Sequence, residues 1–121
     1  MFSNPSSQYW MFPYGYTRQH VPNYNELSQM SKEITDAIYS VHRTQFVYGA
    51  IFEVIYPASG SSADWLYDEL DVACSYAPEL RDKGRYGFLL PENQIIPVAE
   101  EMWAGFTTMA DQVLAGRCDS K

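Results

Sequence analysis

The chain has 121 residues, is 46% hydrophobic and 16% aromatic, and carries a formal net charge of −7 from 8 Lys+Arg against 15 Asp+Glu. That apolar content excludes a disordered chain, and the length suits a single domain. The basic residues are scattered, which excludes a nucleic-acid footprint, and no apolar run approaches the ~20 residues that a membrane span needs.

Met1-Phe2-Ser3-Asn4-Pro5 has neither a basic n-region nor an apolar h-region, so no signal peptide is expected there. Gln8–Phe12 follows as a short buried-strand candidate, stopped by Pro13 and Gly15. Asn23 and Glu26 then resemble a capping box. Beyond them Leu27, Met30, Ile34, Ala37, Ile38 and Val41 recur at helical spacing, which predicts an amphipathic helix to about His42. Gln45–Tyr56 is dominated by β-branched and aromatic residues, so extended structure is expected throughout.

Residues 57–62 read as a loop. Ser61 or Ser62 then caps a short helix through Trp65, Leu66 and Leu70. Val72–Leu80 is expected to be a strand in which Pro78 removes one ladder donor. A last helix is expected with Pro97 in its first turn, an apolar face from Val98 to Leu114, and a stop at Gly116. Arg117 there complements the helix dipole. Short apolar strands alternating with helices predict an α/β layered arrangement. Two cysteines, Cys74 and Cys118, do not make a disulfide framework. Free thiols are therefore expected, a preference that reverses in an oxidising compartment.

The chain has no P-loop, dinucleotide fingerprint, nucleophile elbow or HExxH. His20 and His42 have no carboxylate or second histidine at ligand spacing, so surface histidines are expected rather than metal ligands. Glu79 is the most informative carboxylate, because the end of an apolar strand is where α/β sheets place reactive groups. Burial there would suit it to proton transfer. On physics alone, a salt bridge from Glu79 to Arg81 or Arg85 is the plainer reading.

Longer patterns change that balance. Residues 55–67, from Ile55-Tyr56-Pro57 to Trp65-Leu66-Tyr67, are similar to the tyrosine-loop region of the pancreatic carboxypeptidase A/B family. Residues 79–91, Glu79-Leu80-Arg81-Asp82-Lys83-Gly84-Arg85-Tyr86-Gly87-Phe88-Leu89-Leu90-Pro91, resemble its catalytic-glutamate segment. Gln94-Ile95-Ile96-Pro97 resembles the start of its last helix, and Pro13-Tyr14-Gly15-Tyr16-Thr17 its post-strand loop. The matches run in order from about residue 8 to 114.

The resemblance implies the C-terminal portion of a peptidase catalytic domain: part of a mixed α/β sheet flanked by helices. The implied activity is zinc-dependent removal of single residues from peptide and protein C-termini, in an extracellular setting. It assigns Glu79 as general base and then proton donor, and Tyr56 as the mobile side chain that closes on the substrate carboxylate. Ala63 becomes the base of the side-chain pocket, with Ile55, Ala77 and Phe88 lining it. A small apolar residue at 63 implies preference for aliphatic or aromatic C-terminal residues.

Three departures accompany the match. The family's His-x-x-Glu zinc ligands, its carbonyl-polarising arginine and its carboxylate clamp fall upstream of residue 1, and its third zinc ligand falls near Asn4. Pro78 directly precedes Glu79, and Asp68–Asp71 runs about one residue long. Without zinc ligands, the chain alone is expected to be inactive. The alternative is a non-catalytic, truncated paralogue or peptide-binding module.

Overall fold

Gln8–Phe12 forms β1, the middle strand of a three-stranded sheet in the computed structural model, which describes residues 8–55, 62–79 and 92–119. β2 (Phe46–Ala50) pairs with it in parallel and β3 (Ala77–Glu79) antiparallel. Side chains alternate along β1. Trp10 and Phe12 enter cores beneath the helices, whereas Tyr9 and Met11 face the opposite side.

α1 (Tyr24–His42) buries Leu27, Met30, Ile34 and Ile38 of the stripe expected from its spacing, leaves Val41 near its end exposed and Ala37 only partly buried, and ends with Arg43 in a left-handed conformation. The capping box does not form. Asn23 makes no cap bond; its amide instead donates to the Ala73 carbonyl at 3.1 Å and accepts from the Tyr67 hydroxyl, while Glu26 pairs with Arg117. Tertiary partners outcompete the local cap because they tie two loops together.

The extended reading of 45–56 holds only for β2. The described chain then turns into α2 (Ile51–Val54), because Ile51 drops into the core against Met11 and Ala63. α3 (Ser62–Glu69) appears as expected. Its end is closed by the Val72 amide donating to the Leu66 carbonyl at 3.1 Å, with Asp71 at φ 59°. Residues 72–76 are loop rather than strand, and only Ala77–Glu79 joins the sheet.

α4 (Glu92–Leu114) begins five residues before Pro97, so the proline lies in the second turn rather than the first. The helix tolerates the lost bond because its inner stripe, including Val98, Met102 and Met109, packs on Ile34, Ile38 and Trp10. Gly105 permits the close approach: a Cβ there would meet Ile38 at 3.0 Å. The outer half of the apolar face, including Ile95, Trp103 and Phe106, is exposed.

Cys74 and Cys118 form a disulfide, contrary to the expectation of free thiols. Sequence spacing carried no signal, because the fold brings together residues 44 positions apart. Arg117 also does more than face a dipole. It donates from Nη1 and Nη2 to the two oxygens of Glu33 at 2.8 and 3.2 Å, and from Nε to Glu26 at 3.2 Å. No described helix is long and apolar enough to cross a membrane.

Candidate functional site

The sheet face away from α1 and α4 carries a small apolar cluster: Met11, Ile51 and Ala63 are buried, with Tyr9, Val54, Ile55 and Ala77 packed against them. Three of the pocket residues expected from sequence, Ile55, Ala63 and Ala77, thus meet in one place although they come from three different segments. Ala77 sits opposite Met11 and Glu79 opposite Tyr9 in the β1–β3 register. Alternation places Ala77 and Glu79 on the same face of β3. Glu79 is exposed, so the burial anticipated at this strand end is not seen. Tyr56 and Phe88 lie outside the described residues, as do Arg81, Arg85 and Asn4.

Ala63 is 1% exposed and is held from both sides. The buried hydroxyl of Ser75 donates to its carbonyl at 2.8 Å, which ties it to the approach to β3. The adjacent Asp64 accepts from the Gly15 amide at 3.0 and 2.9 Å and from the Tyr16 amide at 2.8 Å, which ties α3 to the loop after β1. Burial raises the Asp64 carboxyl above its usual range, opposed by those amides. Outside this shell, the hydroxyls of Tyr14 and Tyr16 donate to Asp68 at 3.0 and 3.3 Å. Burial, first, and Asp68, second, push the Tyr14 hydroxyl upward.

Sequence reasoning missed this support. Asp64 stands directly after the assigned pocket residue, but nothing local distinguishes it from a helix-start carboxylate. Ser75 was hidden inside an expected strand. In the segment Asp68–Asp71, expected to run one residue long, Asp71 adopts a left-handed conformation at the end of α3.

The histidines behave as expected of surface groups, although the fold supplies each with a carboxylate that spacing did not show. His20 Nε2 lies 2.9 Å from Glu53, and His42 Nε2 lies 2.8 Å from Glu100. Among the described residues no three His, Cys, Asp or Glu side chains are arranged to hold a metal ion. These residues therefore do not fit a zinc site by themselves.

A family model described as zinc carboxypeptidase matches residues 4–105. The chain belongs to the zinc carboxypeptidase family. It is similar to carboxypeptidase A1 of Homo sapiens, 48% identical over 108 residues, and of Bos taurus, 47% identical over 108 residues; each match covers 89% of this chain and 26% of that protein. A metallocarboxypeptidase A-like protein of Trichophyton verrucosum is 47% identical over 104 residues, covering 85% and 25%. The chain thus spans about a quarter of the length of the curated relatives it matches.

Among solved structures, bovine thrombin-activatable fibrinolysis inhibitor in complex with tick carboxypeptidase inhibitor matches at a TM-score of 0.84 and 37% identity. That match covers 95% of this chain and 38% of that one. The architecture described above is therefore that of a carboxypeptidase-type mixed sheet with its helices, and the family is one of peptide hydrolases.

Proposed function

We propose that this chain is the C-terminal portion of the catalytic domain of a zinc metallocarboxypeptidase, and that it contributes one wall of the active site for hydrolysing the last peptide bond of peptides and proteins. The observation that carries the reading is the meeting of Ile55, Ala63 and Ala77 in one apolar cluster beside the strand that ends in Glu79. Such a wall favours an aliphatic or aromatic C-terminal side chain, because transfer from water into it is favourable and, among the described residues, the cluster itself holds no charged side chain to pair with Lys or Arg. Glu79 would take a proton from the attacking water and pass it to the leaving amine, a role that typically contributes about 10²–10⁴-fold in rate. Tyr56 and Phe88 are proposed to complete the substrate contacts.

Zinc is the metal implied by the family, and its ligands belong to residues other than those described here; the chain alone is proposed to be inactive. The Cys74–Cys118 disulfide supports an oxidising, extracellular setting. A chimera carrying residues 8–114 in place of the matching segment of bovine carboxypeptidase A1 tests the assignment. It is expected to release C-terminal Phe or Leu and to lose that activity on Glu79→Gln. A folded, zinc-loaded chimera that keeps its activity after Glu79→Gln, or that prefers C-terminal Arg, overturns the reading.

A further inference from the structure

β2 pairs with β1 along one side only, and among the described residues no strand covers its other edge. Its sequence, Phe46-Val47-Tyr48-Gly49-Ala50, has no lysine and no proline, the residues that usually protect an open edge against pairing. Val47 and Tyr48 are 40% and 37% exposed, and both line each of two clefts that flank this strand.

One cleft, of about 280 Å³, is lined by Tyr9, Tyr24, Tyr48 and Glu53, among others, and Glu53 is the only charged residue in its lining among the described residues. The other, of about 370 Å³, includes Tyr39, Tyr48 and Asp36, and Asp36 is its only charged lining residue among those described. Glu53 is oriented by His20 Nε2 at 2.9 Å from outside the cleft and by the Tyr24 hydroxyl at 3.4 Å within it, and Asp36 forms a solvent-exposed ion pair with Lys32 at 3.0 Å that an incoming cation would have to displace. Each cleft therefore offers one carboxylate beside tyrosine side chains; the Tyr24 ring is itself stacked on His20 at 3.7 Å, the kind of contact through which an aromatic face receives a cationic side chain.

We propose that the open edge of β2 binds an extended basic peptide segment, which joins the sheet as a further strand. Main-chain hydrogen bonds to β2 supply affinity, and the two clefts receive Lys or Arg side chains and supply selectivity. The net charge of −7 draws such a segment toward the molecule and makes the association salt-sensitive. Phe46 and Gly49, one at each cleft, are three residues apart in the strand, on the order of 10 Å. The basic residues of the segment are accordingly a few positions apart.

The test is fluorescence anisotropy of the full chain with an acetylated, amidated nonapeptide of alternating Val/Thr and Lys/Arg; the amide keeps it from serving as a carboxypeptidase substrate. The expected result is saturable binding that weakens with salt and falls about tenfold or more when the basic residues are made neutral Gln and citrulline. Backbone N-methylation of the peptide is expected to weaken it to a similar extent. Glu53→Gln and Asp36→Asn are each expected to weaken binding several-fold without changing the circular dichroism. Equal binding of the neutral peptide, indifference to N-methylation, or no binding at all overturns the proposal. So does a dimer in sedimentation that the peptide fails to dissociate, because the edge would then belong to a second copy.

Discussion

The Ser75 hydroxyl donates to the carbonyl of Ala63 at 2.8 Å, and this buried bond sets the spacing between α3 and the approach to β3. Removing the hydroxyl leaves the Ala63 carbonyl with one partner fewer in a dry site. Ser75→Ala is expected to cost about 1–3 kcal/mol of stability, read as a lower midpoint in urea with an unchanged slope. A chimera carrying it should also lose affinity for C-terminal Phe more than turnover, because Ala63 would be less firmly placed.

Ala63→Asp should invert selectivity in the same chimera, from C-terminal Phe or Leu toward Lys or Arg, measured as the ratio of kcat/KM values. The substitution puts a carboxylate into a position that is 1% exposed. Stability should fall by about 2 kcal/mol or more unless a basic ligand is bound. A variant that gains no activity on C-terminal Arg would show that residue 63 does not face the substrate side chain.

How much of this was legible beforehand divides along physical lines. α1 was read from its stripe because a long amphipathic period is a local property of the chain. β1 was readable for the same reason, bounded by its own breakers. α2 was not, because Ile51–Val54 has strand-forming residues that turn only because Ile51 finds a place against Met11 and Ala63. The start of α4 was misplaced because proline is rare within helices, and the packing that tolerates Pro97 comes from α1. At the proposed site, Glu79, Ala63 and their neighbours were singled out through family resemblance alone. Their supports, Asp64 and Ser75, act through backbone groups of distant segments, which leave no imprint on spacing.

Arg117 holds Glu33 with two bonds, and that pairing depresses the Glu33 carboxyl to about 2 from its ordinary 4.5. A depressed folded-state acid contributes stability above its unfolded value and loses it as pH falls through the folded one. The contribution should therefore be complete above about pH 5 and fade between there and pH 2. With the Glu33 side chain 36% exposed, solvent screening reduces it to about 1 kcal/mol. Urea titrations at pH 7, 4 and 3 should show this loss, and Arg117→Met should flatten it.

Reduction of Cys74–Cys118 opens a loop closed across 44 positions, for which chain entropy alone gives on the order of 4 kcal/mol. Thermal melts with and without a thiol reductant should differ accordingly, and the Cys74→Ser/Cys118→Ser double variant should match the reduced protein and be insensitive to reductant.

Gly49 has φ 157°, and a Cβ there would lie 2.8 Å from Val54 Cγ2. Gly49→Ala is expected to cost about 1–3 kcal/mol. Adding Val54→Ala should recover the part due to crowding and leave the part due to backbone conformation, a separation that a double-mutant cycle in urea can measure.

β1 serves two clients at once. Trp10 and Phe12 are committed to the helix side, while Met11, between them, forms the floor beside Ala63. If this cluster is the proposed side-chain pocket, a family that retunes which side chain it accepts has unequal freedom around it. Residue 63 is buried but lies on a short helix outside the sheet, whereas a bulkier or smaller residue at 11 would move the central strand and disturb both helix-side cores. Divergence in specificity should accordingly accumulate at the helix that carries residue 63, and the middle strand should drift slowly.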